Sequence, residues 1–121
     1  MINNIVLFWC LFFLQYILDR FTTKCDTIKG EIYLFIHHIM SVYILFGGFL
    51  FNPIYHLIFL IIILLHWITN NNKCLLTELT NKYCGLNKNR KFKDFLYYIT
   101  KNRNILYILF FIYIIYDIYK I

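Results

Sequence analysis

Four stretches of the chain, 5–18, 32–51, 54–69 and 105–119, contain a single Asp, Glu, Lys or Arg between them, Asp117. The charged residues are confined to the segments between these blocks and to the chain ends. Apolar residues gathered in blocks, not spaced at helical intervals, are what a bilayer-facing chain requires. Of the 121 residues, 61% are hydrophobic and 15% charged, too little polar surface to clothe a soluble domain of this length. The sequence therefore predicts an all-α integral membrane bundle of four short transmembrane helices, one domain over 1–121.

The first block is not a secretory leader on its own features. No Lys or Arg precedes it, and Arg20, Phe21, Thr22, Thr23 and Lys24 follow it where a small-residue cleavage site would stand. Phe8 and Trp9 before Cys10 likewise argue against lipoprotein processing. Blocks two and three are separated by Asn52-Pro53 alone. Asn tolerates turn geometry and Pro fixes φ, so a tight antiparallel hairpin is expected there. The polar segment 70–104 holds a possible helical turn over 77–81. It also holds a basic amphipathic helix over 90–101, with Phe92, Phe95, Leu96 and Ile99 on one stripe. The fourth block covers roughly 22 Å at 1.5 Å per residue, which suits a thin membrane of the endoplasmic-reticulum type.

Residue choice constrains packing. The chain has 22 Ile, 13 Phe and 11 Tyr, no Ala and 4 Gly, a bias that an AT-rich genome also produces. Membrane helices commonly approach through small residues; here aromatic and aliphatic interdigitation is expected instead, with Gly47-Gly48 allowing close approach near the hairpin. The net charge of +6 argues less for nucleic acid than for topology and anionic lipid, because eleven of the twelve Lys and Arg fall in 19–31 and 70–104. That bias places both loops in the cytosol and both termini in the lumen or outside.

Folding the hairpin about residues 52 and 53 sets His37 and His38 level with His66 and Trp67. Cys25, Cys74 and Cys84 lie in the loops at the same end. Imidazole and thiolate are ligands for zinc, and paired imidazoles hold haem. His37, His38 and His66 are thus candidate cofactor ligands, and His38, His66, Cys74, Cys84 and Cys25 candidate metal ligands. Trp67, Asn70 and Thr77 border the same region. The plainer reading is of histidines bonding across helices with Cys as apolar filler. Cys74 and Cys84 are nine residues apart in the sense of intervening chain, not at zinc-knuckle spacing. Cytosolic thiols should be reduced, so a permanent Cys74–Cys84 bridge is not expected; an inverted topology would make a quinone-linked thiol oxidoreductase conceivable. Asp117 is expected to snorkel or to pair with Lys120, and Asp19, Glu31 and Glu78 to act as interfacial caps or charge partners.

Gly47-Gly48, His56-Leu57, Trp67 and Cys74-Leu75-Leu76-Thr77-Glu78-Leu79 resemble a family of small bacterial membrane proteins of unknown function. Those proteins carry a His, a Gly-Gly, a His-Leu-Pro and a Cys-Pro-Leu-Thr in this order. The wording is closer to uncharacterised small membrane proteins of giant DNA viruses, where His-Trp, an Asn run and Cys-x-Leu-Thr occur together. Ile58 and Leu75 stand where the bacterial pattern has proline. The resemblance implies that the hairpin and 74–79 form the functional centre, so that His38, His66 and Cys74 should matter more than Asp117 or His56. No Gly-rich phosphate loop, nucleophile elbow or di-acidic motif fixes an activity. Three functions remain open: a structural or interaction component of a host or viral membrane, partnered by lipid, itself or another membrane protein; a haem or metal redox protein; and a small transporter or channel subunit.

Overall fold

The computed structural model describes residues 3–21, 24–85 and 103–121. Among them the chain is all-helical: α1 (Asn4–Arg20), α2 (Ile28–Leu50), α3 (Pro53–Thr69), α4 (Leu75–Tyr83) and α5 (Arg103–Lys120). Several boundaries have a local cause. The Asn3 side chain accepts from Ile5 N and starts α1. Thr27 accepts from Gly30 N, so α2 begins four residues before the apolar block itself. Asn52 accepts from Ile54 N, with Pro53 at the first helical position where its missing N–H costs nothing. Asn71 and Asn72, at φ 53° and 59°, turn the chain out of α3 in the left-handed region that Asn tolerates.

α2 is the central element and touches all four others, while α3 and α5 pair on one side of it. α1 runs antiparallel to α2 and is tied to its far end by Asn4 Nδ2 donating to Leu50 O at 2.8 Å. The buried residues of α1, Phe8, Phe12, Gln15 and Asp19, recur at helical spacing and form one stripe. Those of α3, His56, Leu60, Ile63 and Trp67, do the same. Phe8, Phe12 and Val42 pack one core cluster between α1 and α2. Ile44, Leu60, Ile63, Trp67 and Phe110 pack the other between α2, α3 and α5.

Polar side chains lie inside beside the apolar core, and the outward helix faces are apolar as well. Gln15, Asp19, His37, His38, Ser41, His56, Thr80 and Asp117 are all buried. The outward faces of the helices are apolar: Ile54, Ile58, Ile61, Ile62, Leu65 and Ile68 on α3, and Ile105, Ile108, Ile112, Ile115 and Ile118 on α5, are all exposed. α2 is the one helix, among the described residues, long and apolar enough to cross a membrane; α3 is apolar and shorter, at 17 residues.

Two sequence expectations change here. The turn anticipated over 77–81 is a full nine-residue helix, α4, laid against the start of α2. Gly47-Gly48 does more than bring α2 and α3 together. A Cβ on Gly47 would lie 2.6 Å from His56 Cδ2, and one on Gly48 would lie 2.4 Å from Asp117 Oδ1. The glycines therefore vacate space for a polar pair. The amphipathic helix expected over 90–101 lies outside the described residues.

Candidate functional site: two buried histidine–aspartate pairs and a thiol face

Asp19 falls on the buried stripe of α1 in its last turn, where the helix dipole disfavours an acid. It finds compensation from α2: His38 Nε2 lies 2.6 Å from Asp19 Oδ2, and His38 Nδ1 lies 2.8 Å from Leu34 O. Both residues are buried. Tyr16 sets its ring edge-on to His38 with centroids 5.2 Å apart, and its hydroxyl donates to Glu31. Glu31 in turn pairs with Arg20 at 2.6 Å near the surface, a contact worth at most about 1 kcal/mol at that exposure.

A second pair occupies the hairpin end. His56 Nδ1 lies 2.6 Å from Asp117 Oδ2, and His56 Nε2 lies 3.2 Å from Ile44 O. Asp117 therefore neither snorkels nor pairs with Lys120, as its position near the end of the fourth block had suggested. It faces inward because α5 presents it on the same side as Phe110, two turns earlier. Lys120 lies over the Tyr116 ring instead. Asp117 Oδ1 has no hydrogen-bond partner among the described residues.

At the loop end the anticipated His and Cys residues divide into separate contacts. The sulfurs of Cys25 and Cys84 are bonded to each other, joining the first loop to the end of α4. The sulfurs fill the space beside Gly30, whose added Cβ would lie 2.4 Å from Cys25 Sγ. The Thr27 hydroxyl donates to Tyr83 O, and the Tyr83 ring stacks on Tyr33 and receives the Lys29 ammonium at 4.2 Å. His66 Nε2 accepts from Leu75 N at 3.1 Å. It thereby satisfies an orphan first-turn donor of α4 that Cys74, at the N-cap, leaves unmet. His37 hydrogen-bonds Cys74. Burial pushes the Cys74 thiol up, but the hydrogen bond and charge of His37, together with Thr77, more than offset it and bring it down to about 7.

The donor set expected for zinc or haem is thus distributed. Cys25 and Cys84 hold one another, His38 holds Asp19, His66 caps α4, and His37 meets Cys74. No group of three or more His, Cys, Asp or Glu among the described residues is placed to hold a metal ion. Trp67 packs its ring on Phe110, with centroids 4.8 Å apart. Asn70 caps α3 and donates to Lys73 O and to Glu78 Oε2. The His56–Asp117 pair was not expected from sequence. The hairpin register that levels His38 with Trp67 also levels Gly48 with Leu57, and two glycines opposite a histidine were the available signal.

No family model, curated protein or solved structure matches the chain.

Proposed function

We propose that this is a small multi-pass membrane protein of four spans, α1, α2, α3 and α5, serving as a structural or interaction component of its membrane. The observation that carries the reading is the apolar exterior: outward faces of Ile, Leu and Phe, with His, Asp, Gln and Ser buried inside. In water those faces would drive aggregation, whereas in hydrocarbon they are the matching surface. The helices of 17 and 18 residues reach roughly 26 Å, close to the thickness of an endoplasmic-reticulum bilayer. The resemblance to small bacterial and giant-virus membrane proteins agrees with this class. Translation of the full chain into microsomal vesicles, with glycosylation acceptors added in turn to each terminus and each loop, tests it. Carbonate-resistant product modified at the termini and not in 19–31 or 70–104 is expected. Release by carbonate would overturn the reading.

One observation favours a second role. The Lys and Arg bias draws the loop end to the cytosol, and that end carries the Cys25–Cys84 disulfide. Disulfides in that compartment are characteristically transient, serving catalysis or redox sensing. On this reading two electrons and two protons from a dithiol reductant return Cys25 and Cys84 to thiols, the reductant becomes the disulfide, and α4 loses its covalent tie to the first loop. Cys74 and Cys84 flank α4 on opposite ends, roughly 15 Å apart along its axis. Cys74 therefore cannot attack the disulfide while α4 is intact, and the reductant must come from outside the chain. Thiol trapping in cells separates the roles: a Cys25–Cys84 bond that persists through reductive challenge makes the disulfide structural.

A further inference from the structure

His56 is flanked on both ring nitrogens by oxygen. Nδ1 faces the Asp117 carboxyl at 2.6 Å and Nε2 faces the Ile44 carbonyl at 3.2 Å. A backbone carbonyl only accepts, and an ionised carboxylate only accepts, while a neutral imidazole carries one N–H. With one proton on the ring and none on the acid, one ring lone pair would point at an oxygen lone pair. Two arrangements satisfy both contacts. In one, an imidazolium donates from both nitrogens to a carboxylate and a carbonyl. In the other, Nε2–H donates to Ile44 O while the protonated acid of Asp117 donates to Nδ1. Each arrangement holds two N–H or O–H protons on the pair, one more than a neutral imidazole beside a carboxylate, and has zero net charge.

Burial points the same way. His56 and Asp117 are both fully buried. The pair with one proton fewer would place a net negative charge in that interior. The facing groups are Tyr43, edge-on at 5.3 Å, and Tyr113, at 6.2 Å, neither of them cationic. Lys120, the charged residue closest in sequence to Asp117, lies over the Tyr116 ring. Asp117 Oδ1 has no partner among the described residues, which suits the carbonyl oxygen of an un-ionised acid better than half of a carboxylate.

The pattern recurs further toward the loop side of α2, at its middle. His38 faces the Leu34 carbonyl through Nδ1 and the Asp19 carboxyl through Nε2, with both residues buried. Tyr16, His37 and the Arg20–Glu31 pair are among the titratable and charged groups around it. We propose that His56–Asp117 and His38–Asp19 are proton-binding sites, each holding two protons on the pair as a neutral unit. The proposal rests on burial and hydrogen-bond stoichiometry and stands whether or not the four-span reading does. It gives the chain two places for a proton along its central helix, one near its middle and one near its C-terminal end.

The test uses the full chain in detergent micelles at neutral pH, with histidine ring nitrogens labelled with ¹⁵N and aspartate carboxyls with ¹³C. Nitrogen NMR reads ring protonation, and infrared spectroscopy reads the acid C=O band, with Asp117→Asn and Asp19→Asn assigning the bands. Should either variant misfold, the His56 ring is assigned in the unaltered protein through its proximity to the Tyr43 and Tyr113 ring protons. Two protons per pair are expected, as imidazolium with carboxylate or as neutral imidazole with an acid band. A neutral imidazole beside an ionised carboxylate at neutral pH would overturn the proposal.

Discussion

The two ends of α2 solve the same problem differently. At the hairpin end a single polar pair, His56–Asp117, sits in space that Gly47 and Gly48 leave open, and three helices meet on it. At the loop end the His38–Asp19 pair is one contact among many: a disulfide, the Thr27–Tyr83 bond, the Tyr33–Tyr83 stack and the His66 cap on α4. The first end depends on one arrangement without a substitute. The second is redundant, and its ties are chemically changeable. Sensitivity to substitution should therefore concentrate at the hairpin end, and sensitivity to thiol chemistry at the loop end.

The largest effect is expected from removing one partner of the hairpin-end pair. Asp117→Ala or His56→Ala leaves a buried polar group unmatched and should lower stability by about 3–5 kcal/mol. Replacing both, as His56→Phe with Asp117→Leu, should recover much of that loss in a detergent thermal-denaturation assay. A double variant no better than the singles would mean that the pair is not the unit. This reverses the order implied by the family resemblance, which set His38, His66 and Cys74 above His56 and Asp117. Breaking the loop-end disulfide comes next. Cys25→Ser frees a link between positions 59 residues apart, and the chain-entropy model allows roughly 2–4 kcal/mol for it. Reductant should mimic the variant in the parent protein and do nothing further to the variant. Gly48→Ala follows at about 1–3 kcal/mol, because its Cβ would fall 2.4 Å from Asp117 Oδ1 and 2.9 Å from His56 Nδ1. Gly85→Ala, near the end of α4, is the useful contrast. Among the described residues its added Cβ meets only Asp26 Oδ2, at 3.3 Å, so its cost there comes from the positive φ of 68°.

How far these ends were legible in sequence depends on what each was made of. Helix ends were readable where the signal was local: Asn52-Pro53 specifies a start by side-chain chemistry alone. α4 was underestimated because its first-turn donor is satisfied by His66, nine residues earlier in the chain, and a cap from that distance leaves no local mark. Register placed His37, His38, His66 and the loop cysteines near one end, but shared depth does not fix direction around a helix. His38 turns to α1 and Asp19, His37 to Cys74, and His66 to Leu75 N. Azimuth, set by the stripe each residue shares with its buried neighbours, converts one apparent cluster into three contacts. Asp117 shows the same thing. Its proximity to the block end suggested snorkelling, while its position seven residues after Phe110 aims it inward.

The smallest effect, and the one that separates the two ends most cleanly, concerns Cys74. Its thiol is held near 7 against an ordinary value of 9.0, principally through His37 against the opposing pull of burial. Above about 9 the folded and unfolded chains both carry the thiolate, and the stabilisation of the native state by this group is complete. Between about 9 and 7 the unfolded chain takes up a proton that the native chain does not, so stability falls as pH falls through this window. Below about 7 both states are protonated and the contribution is gone. Alkylation of Cys74 should accordingly rise through a midpoint near 7, and His37→Gln should move that midpoint upward while leaving the Cys25–Cys84 bond intact. If His37→Gln left the Cys74 midpoint where it was, the contact between α2 and the start of α4 would be packing alone, and the chemical changeability assigned to the loop end would reduce to its disulfide.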